Sequence, residues 1–499
     1  MRFKGPAPFL SWATIGRILV ITFVGEGALS VASAQQVPPP DTQEAPPKVD
    51  PQPVEWIGQY QITEGEGGQE IAIDSEGKSH LLSVNKSTIF YRQYPHLPVQ
   101  RNPSSSNETD LGEGVVQMVA IVVTEGHYYL AYSKTTVPDV ATGRTSKTIT
   151  IEKRGPDHKP VWGFSFFDDR NMTATDLVVN SKGEVFVAGT FDRSAPGDVP
   201  GSEEAPEDGQ SQEGVAERQQ GIFVKKIDSS GKELFEKIVA TEGNETIGGL
   251  TVDADDNFYI GGSTSGDLFG KSNGRDDFFL AKYDTNGKEL WTEQFGANNI
   301  DQVKDIVVDQ QGGVYMTGLT YQDVGSENEN DYNLILRKYD SQKKVAWTQS
   351  YGADRGDSGE ALAIDAKGDL YVGGTTYSDL TAENSGGADF FIAKYDSTTG
   401  GEYWIKQIGS SGDDLLRGLS VDTEGNLYFY GDSTEKIGNP IPSGGGSSGV
   451  LGTRFLGKIK KIQEPGIPWP TLIFVFSSGL FLCFLLYVND RRKKRLKGK

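Results

Sequence analysis

The chain has 499 residues, including 62 glycines and one cysteine, and a formal charge of −21 at neutral pH. This length exceeds what one ordinary hydrophobic core organises, so several domains or one repeat array are expected. The single cysteine, Cys483, excludes an intrachain disulfide framework, and the acidic balance argues against a nucleic-acid partner, whose phosphates require a face of Lys and Arg.

The N-terminal residues have the layout of a secretory signal. Basic residues precede an apolar stretch over 18–24, and the small residues of 31–34 form an A-x-A cleavage site. We therefore expect residues 1–34 to be a signal peptide, with a retained signal anchor as the alternative. Residues 35–53 hold seven prolines and are predicted to form an extended, disordered stalk.

The body of the chain repeats itself at intervals of about 56 residues. Each unit begins with a hairpin, in which two short alternating strands flank a turn that usually contains glycine, as in 307–318 and 363–374. Another apolar strand follows, then a polar turn and a strand with a large aromatic residue. Four short strands per unit are typical of a propeller blade. The hairpin occurs seven times, at Asp74, Thr124, Asn180, Asp253, Asp309, Asp365 and Asp422.

A large aromatic residue stands 18 residues before the hairpin residue of most units. A Trp repeated in this way can stack on a planar ligand. A large aromatic at a fixed blade position, however, commonly packs adjacent sheets together, and we expect that role here. These blade-packing aromatics are Trp56, Trp162, Phe235, Trp291, Trp347 and Trp404.

The last unit lacks an outer strand of its own, because the chain runs from Lys458 into Pro465. The first strand, 54–60, has no unit before it and can supply the missing strand, which removes an open sheet edge. The predicted fold is therefore all-β: a seven-bladed β-propeller of four-stranded antiparallel blades over 54–462, closed by an N-terminal strand. The acidic segment 192–220 enlarges the third unit and is expected to be a disordered insertion.

The unit that begins at Gly261 contains Gly-Gly-Ser, Asp-Phe-Phe-Leu-Ala-Lys-Tyr-Asp, Asn-Gly-Lys-Glu-Leu-Trp and Gln-Phe-Gly. These sequence motifs closely resemble those of the seven-bladed β-propeller repeat family, often called SBBP. The resemblance is strong over 175–460 and weaker before it. It implies the propeller fold and does not fix an activity.

Residues 472–488 form an almost unbroken apolar run that is followed by seven basic residues. Extended back to Ile467, the run has 22 residues, enough to cross a bilayer. We predict one C-terminal transmembrane helix over 467–488 and a basic cytoplasmic tail over 489–499, which makes the chain a single-pass membrane protein with the propeller on the extracellular or periplasmic side. The exported residues 35–470 include 38 basic and 67 acidic ones, a formal charge of −29. The preceding Gln-Glu-Pro only partly resembles a bacterial sorting signal, so a plain anchor is preferred.

Five of the seven units carry a carboxylate eight residues before the hairpin residue, namely Glu66, Glu245, Asp301, Asp357 and Asp414. If these side chains surround the central channel, their oxygens suit Ca²⁺. Alternatively, each carboxylate accepts hydrogen bonds from nearby backbone amides, as Asp does in turns. The turn preference of Asp favours the second alternative, so we predict no metal and no cofactor, with Ca²⁺ at this acidic ring as the alternative.

The sequence also contains two kinds of short motif. Gly356-Asp357-Ser358-Gly359 copies the nucleophile motif of trypsin-like proteases, but the repeat accounts for it and the four histidines of the chain have no matching context. Four sequons would be glycosylated in a eukaryotic secretory pathway, at Asn85, Asn107, Asn171 and Asn244.

The sequence has no metal-ligand His/Cys cluster and no Gly-rich phosphate loop after a strand. We therefore predict no catalytic residues and a membrane-anchored extracytoplasmic propeller that acts as a binding or scaffold module for a protein or glycan partner. The alternative is a propeller enzyme with a ligand in its central channel. It rests on 395–404, which resembles the tryptophan-docking strand of pyrroloquinoline-quinone dehydrogenases.

Overall fold

The chain divides into two compact units, Met1–Pro47 and Lys48–Lys499. The computed structural model describes residues 21–24, 28–31, 54–61, 66–74, 77–85, 88–94, 105–110, 115–135, 147–167, 170–193, 219–321, 332–352, 355–435, 437, 439–440, 453–460, 472–477 and 480–485. In the first unit, β1 (Ile21–Val24) and β2 (Ala28–Val31) form an antiparallel pair. The rest of the predicted signal peptide and the whole predicted stalk lie outside the described residues.

The second unit begins with β3 (Val54–Gln61) and continues as antiparallel sheets of four strands, each formed by strands consecutive in the chain. Sheet 1 consists of β4 (Glu66–Ile73), β5 (Ser79–Asn85), β6 (Thr88–Tyr94) and β7 (Ser105–Asp110). Sheet 2 consists of β8 (Val115–Thr124), β9 (His127–Thr135), β10 (Lys147–Arg154) and β11 (Pro160–Phe167). Sheet 3 consists of β12 (Thr173–Val179), β13 (Val185–Arg193), β14 (Gln219–Ile227) and β15 (Glu233–Val239).

The next three sheets follow the same order. Sheet 4 consists of β16 (Glu245–Val252), β17 (Phe258–Thr264), β18 (Asp277–Tyr283) and β19 (Glu289–Phe295). Sheet 5 consists of β20 (Asp301–Val308), β21 (Val314–Thr320), β22 (Asn333–Tyr339) and β23 (Val345–Tyr351). Sheet 6 consists of β24 (Asp357–Ile364), β25 (Asp369–Thr376), β26 (Asp389–Asp396) and β27 (Glu402–Ile408).

The last sheet of the series, sheet 7, departs from the prediction. It has five strands, β28 (Asp414–Val421), β29 (Leu427–Ser433), β31 (Thr453–Ile459), β3 and β30 (Asn439–Pro440), in that spatial order. The sequence predicted seven four-stranded blades, whereas six four-stranded sheets are found among the described residues. The extra strand pairs in parallel with Gly58 and Gln59 of β3. Two residues are too few to show a strand period, and proline tolerates such an edge position because it has no N–H to donate.

β3 itself pairs antiparallel with β31 over Val54 to Gln61. The N-terminal strand therefore takes the outer position that the sequence analysis assigned to it, beside the third strand of the last repeat unit. Its Val54 and Ile57 pack against a buried cluster that includes Trp404, Leu427 and Phe429.

The side chain of an aspartate or asparagine closes the first hairpin of most sheets. In sheet 5, Asp309 Oδ1 accepts hydrogen bonds from the backbone N–H groups of Gln311 and Gly313, at 2.9 and 2.7 Å. The intervening Gly312 has φ of 78°, which favours glycine. Asp365 and Asn180 accept the equivalent bonds in sheets 6 and 3. This turn chemistry explains why the sequence repeats an Asp or Asn there.

The first strands of consecutive sheets contact one another from β4 through β8, β12, β16, β20, β24 and β28, and β28 also contacts β4. The first strands therefore surround a central axis, which is the arrangement of a β-propeller. The core lies between adjacent sheets. For example, the rings of Phe186 in sheet 3 and Phe258 in sheet 4 are 5.1 Å apart, and one buried cluster joins Tyr315 and Trp347 of sheet 5 to Phe391 of sheet 6.

The repeated aromatics lie at these junctions. A Cβ on Gly400 in the outer turn of sheet 6 would approach Trp347 to 2.7 Å, and the Trp347 indole N–H donates to the Ser397 carbonyl at 3.2 Å. Trp162 covers Gly231 of sheet 3 in the same way, and Phe235 covers Gly287 of sheet 4. The remaining aromatics of this set are the buried Trp404, the partly buried Trp291 and Trp56, whose side chain lies outside the described residues.

The predicted transmembrane helix is not found among the described residues of 467–488. Within 467–488, β32 (Leu472–Ser477) and β33 (Leu480–Leu485) form an antiparallel pair instead. Val, Ile and Phe, which are frequent in this run, also favour strands, so composition alone did not decide between the two structures. In the part of the chain that the structure describes, no helix has the length and apolar character to cross a membrane. The predicted tail over 489–499 lies outside that part.

Candidate ligand-binding cavity

The first strands of all seven sheets share a β-bulge at the same repeat position. In sheet 5 the bulge leaves Lys304 unpaired between Val303 and Asp305, which pair with consecutive residues of β21. A bulge re-aims the extra side chain, here towards the central axis. The bulge residues of sheets 2 to 7 are Val119, Thr175, Gly248, Lys304, Glu360 and Arg417.

The axis contains a cavity of about 580 Å³, and five of these six bulge residues line it. Sheets 2 and 3 contribute an apolar wall made by Val119, Ala120, Ile121, Val122 and Leu177. The charged lining residues are Asp176, Lys304, Asp305, Glu360, Arg417, Asp432 and Arg454. The cavity therefore has apolar side chains from one part of the ring and cationic side chains from sheets 5 and 7.

Two guanidinium groups share one carboxylate on the sheet 7 side of the cavity. Arg417 Nε lies 2.8 Å from Asp432 Oδ2, and Arg454 Nε lies 3.0 Å from Asp432 Oδ1. The Arg417 side chain is 54% exposed and that of Arg454 19%. Lys304 of sheet 5 makes no hydrogen bond or ion pair with the described residues. Lys304 and Arg417 thus keep donors that no described residue occupies.

Asp176 and Asp305 lie directly after the bulge and join adjacent sheets. Asp305 accepts the N–H groups of Ile306 and of Leu362 in sheet 6, both at 2.7 Å. Asp176 accepts the N–H of Leu250 in sheet 4 at 2.9 Å. Both carboxylates border the cavity, but protein surrounds them on the other sides. Burial raises the pKa of Asp176 to about 6 and, together with the charge of Asp176, raises the pKa of Asp305 to about 8.

The carboxylates that the sequence grouped as an acidic ring lie elsewhere. Glu245, Asp301, Asp357 and Asp414 are fully buried at the starts of their strands and none lines the cavity, while the side chain of Glu66 lies outside the described residues. Asp301 accepts hydrogen bonds from the Ala297 N–H at 2.6 Å and from the Thr320 hydroxyl at 2.5 Å. Burial, with a contribution from Asp277, raises the pKa of Asp301 to about 6.

Glu245 and Asp414 make the corresponding backbone contacts. Glu245 accepts the Thr241 N–H at 3.1 Å and Asp414 accepts the Ser410 N–H at 2.5 Å, in each case four residues back along the chain. Such bonds from nearby backbone amides are those expected when Asp or Glu caps a turn. Among the described residues, no group of three or more His, Cys, Asp and Glu side chains is arranged to hold a metal ion.

A cluster that sequence reasoning missed joins sheets 1 and 2. His80 Nε2 lies 2.9 Å from Asp74 Oδ2, and His80 Nδ1 lies 2.6 Å from the hydroxyl of Tyr91, whose ring contacts Tyr128 and His158. The arrangement resembles a catalytic relay. Burial lowers the pKa of His80, which favours a neutral ring.

The repeat gives this cluster a structural explanation. Tyr259, Tyr315 and Tyr428 occupy the position of His80 in sheets 4, 5 and 7, and each donates its hydroxyl to the aspartate of its own hairpin turn. His80 therefore bonds the aspartate of its own hairpin turn with its imidazole ring, where these three sheets use a tyrosine hydroxyl. The spacing of six residues from Asp74 to His80, equal to that from Asp253 to Tyr259, is the sequence signal for it.

The described sequon asparagines differ in exposure and bonding. Asn171 is exposed and donates to Asp192 at 3.0 Å, whereas the Asn244 side chain accepts the Gln220 N–H at 3.0 Å. The side chains of Asn85 and Asn107 lie outside the described residues. Ser358 of the protease-like motif is buried and donates to Glu360. No residue of 395–404 lines the cavity.

A ring of antiparallel sheets whose first strands enclose a polar cavity defines the chain as a β-propeller. The profile of a family described as Beta-propeller repeat matches residues 290–323, which run from the last strand of sheet 4 into sheet 5.

Comparison with known proteins gives distant similarities. The Regulatory protein FlaEY of Caulobacter vibrioides is 26% identical over 165 residues, 30% of this chain and 17% of that protein. The virginiamycin B lyase from Staphylococcus aureus has a TM-score of 0.42 at 10% identity and covers 81% of this chain and 99% of its own. A protein of unknown function from Dyadobacter fermentans has a TM-score of 0.42 at 9% identity. The match covers 82% of this chain and 99% of that protein's chain. Similarities of this size carry no argument about activity.

Proposed function

We propose that sheet 7 serves as a seventh blade. Its strands β28, β29 and β31 follow one another as the first three strands of the other sheets do, and β3 takes the fourth position. β28 contacts β24 on one side and β4 on the other. A strand supplied by the N-terminus closes the ring between the two ends of the propeller and protects an edge of β31.

We also propose that the propeller is held outside a membrane by the C-terminal apolar segment. The support is in the sequence: 22 residues from Ile467 to Val488 are long enough to span a bilayer, and the basic cluster that follows favours the cytoplasmic side. Protease added outside sealed cells should then release a propeller fragment and leave an epitope at Lys499 intact. Digestion of that epitope from outside would overturn this topology.

The function that the geometry supports best is non-catalytic binding of a protein or glycan partner at the central cavity. One observation carries this proposal. Residues at the turns and sheet junctions are much alike from unit to unit, as expected for packing, whereas the bulge residues that face the cavity are Val, Thr, Lys, Glu and Arg. Packing does not require five different side chains at one repeat position, but selective recognition of an asymmetric ligand does.

The test is a binding screen with the purified full-length chain in detergent. Arrays of immobilised peptides and of glycans are incubated with the protein, and the expected result is saturable retention on a restricted set of related ligands. The absorbance spectrum of the same sample is recorded. A bound quinone chromophore would favour the alternative of a propeller enzyme with a ligand in its central channel. Retention on no array member would contradict the proposed binding function.

A further inference from the structure

We propose that the cavity binds a free carboxylate carried by an apolar body, and that the ligand is the C-terminal end of a peptide. Lys304 and Arg417 would hold the carboxylate, with Arg454 beside them, and the wall formed by sheets 2 and 3 would contact the apolar side chains. This inference rests on the proposed binding function and names the chemistry of its ligand.

Two cations of the cavity, Lys304 and Arg417, have more donors than partners among the described residues. Arg417 shares the carboxylate of Asp432 with Arg454, although the Arg417 guanidinium carries several N–H groups in a fork that fits a carboxylate. Half of the Arg417 side chain is exposed. Lys304 makes no hydrogen bond or ion pair with any residue that the structure describes. These groups lie in a chain of net charge −21, so a cationic site here is not a consequence of composition.

The acids of the cavity, by contrast, have partners. Asp305 and Asp176 each accept two backbone N–H groups, Asp432 is paired with both arginines, and Glu360 accepts the Ser358 hydroxyl. Because the acids have partners within the protein, while the Lys304 side chain and part of the Arg417 guanidinium have none among the described residues, an anion is the complementary ligand.

The remaining wall favours a peptide over an acidic sugar. Val119 and Val122 present aliphatic surface, which suits the side chains near a peptide terminus. Sugars are commonly held by aromatic faces and by polar groups that bond hydroxyls, and Tyr430 supplies the one aromatic ring among the described lining residues. A volume of about 580 Å³ lies within the range of small-ligand sites, roughly 300–1,000 Å³.

The substitutions that test this inference are expected to fold. The bulge position carries Val, Thr, Gly, Lys, Glu or Arg in different sheets, so the fold tolerates very different side chains there. Lys304→Gln and Arg417→Gln remove the charge and keep most of the volume. Lys344→Gln, in an exposed outer turn of the same sheet as Lys304, is the matched control.

The experiment is isothermal titration calorimetry of the full-length chain with acetyl-Ala-Ala-Val. The peptide with a free C-terminal carboxylate should bind, and its C-terminal amide should bind at least about tenfold more weakly, the loss expected for one charge-assisted hydrogen bond. Lys304→Gln and Arg417→Gln should each weaken binding of the free acid by about tenfold or more. Lys344→Gln should leave it unchanged.

Equal binding of acid and amide, or unchanged binding by both cavity variants, would overturn the inference. A glucuronic acid trisaccharide that binds while the peptide does not would replace the peptide by an acidic sugar. If the array ligands bind the Lys304→Gln and Arg417→Gln variants as well as the wild type, the proposed binding function stands and this inference fails. If the wild type binds neither array ligands nor the peptide, both fail.

Discussion

At the scale of single residues, one position in the outer turn shows how backbone conformation and sheet packing are coupled. Gly231, Gly287 and Gly400 adopt positive φ in this turn, and the aromatic of the preceding sheet packs on each of them. In sheet 5 the position holds Lys343, with φ of 69°. His158, with φ of 62°, holds the same position in sheet 2. A side chain in this conformation is strained, so these two members of the repeat are suboptimal.

Gly400→Ala should destabilise the propeller by more than about 1 kcal/mol, because it adds a Cβ 2.7 Å from Trp347 at a residue with φ of 74°. Lys343→Gly should have the opposite effect and stabilise by about 0.5–1 kcal/mol, since glycine adopts positive φ without strain. Urea denaturation of both variants checks the prediction. Equal stability of the Gly400→Ala variant and the wild type would contradict the packing role of Trp347.

The buried carboxylates of the cavity wall make stability depend on pH. The folded-state pKa of Asp305 is raised to about 8, so the native state holds this proton more tightly than the unfolded chain. Its contribution is present in full below about pH 4 and is lost as the pH rises through about 8. Asp305→Asn should therefore reduce the loss of stability between about pH 4 and 8.

Asp176→Asn is the matched comparison, and it should act in the lower window between about pH 4 and 6 because the pKa of Asp176 is raised less. Thermal melts of the wild type and both variants across this range are the measurement. Identical pH profiles for the wild type and the Asp305→Asn variant would show that this carboxyl titrates at an ordinary pKa in the folded state.

At the scale of strands and turns, the sequence predicted the repeated elements well. The hairpins at Asp309 and Asp365 could be predicted because turn residues and strand alternation are local signals. The position of β3 beside β31 was predicted from the missing outer strand of the last unit.

Other features could not be predicted because they depend on partners distant in the chain. The bulge that turns Lys304 towards the axis has no recognisable signal in the sequence, because very different side chains occupy this position in different sheets. The pairing of Asn439 with Gly58 depends on a contact between the two ends of the propeller. The acidic ring was grouped from a shared spacing, but Glu245, Asp301 and Asp414 each accept a backbone N–H from four residues earlier in the chain.

Closure of sheet 7 leads to a prediction for β3. Deletion of residues 54–61 should leave β31 without its neighbour and expose the cluster around Phe429 and Trp404, and the melting temperature should fall by many degrees. Deletion of 35–50 is the control and should leave the melting temperature unchanged. A 54–61 deletion that melts like the wild type would show that β3 contributes little to the stability of the ring.

At the scale of the whole molecule, the propeller combines a repeated scaffold with a non-repeated centre. Hairpin turns and inter-sheet aromatics recur because adjacent sheets pack against each other in the same way at every junction. The residues that face the axis carry opposite charges and different sizes. A function located at the axis can therefore be changed without disturbing the blades, a division that is common in propeller folds.

The most direct test of the central claim, that the cavity at the axis is the binding site, is to fill it. Thr175 is an exposed bulge residue that lines the cavity, so Thr175→Trp should block it, and Thr398→Trp in the exposed outer turn of sheet 6 is the control. The affinity of both variants for the ligand retained in the binding screen is measured beside their melting temperatures. We predict that Thr175→Trp weakens binding by at least about tenfold at an unchanged melting temperature, while Thr398→Trp binds as the wild type does. Undiminished binding by a folded Thr175→Trp variant would contradict the claim and place the binding surface outside the cavity.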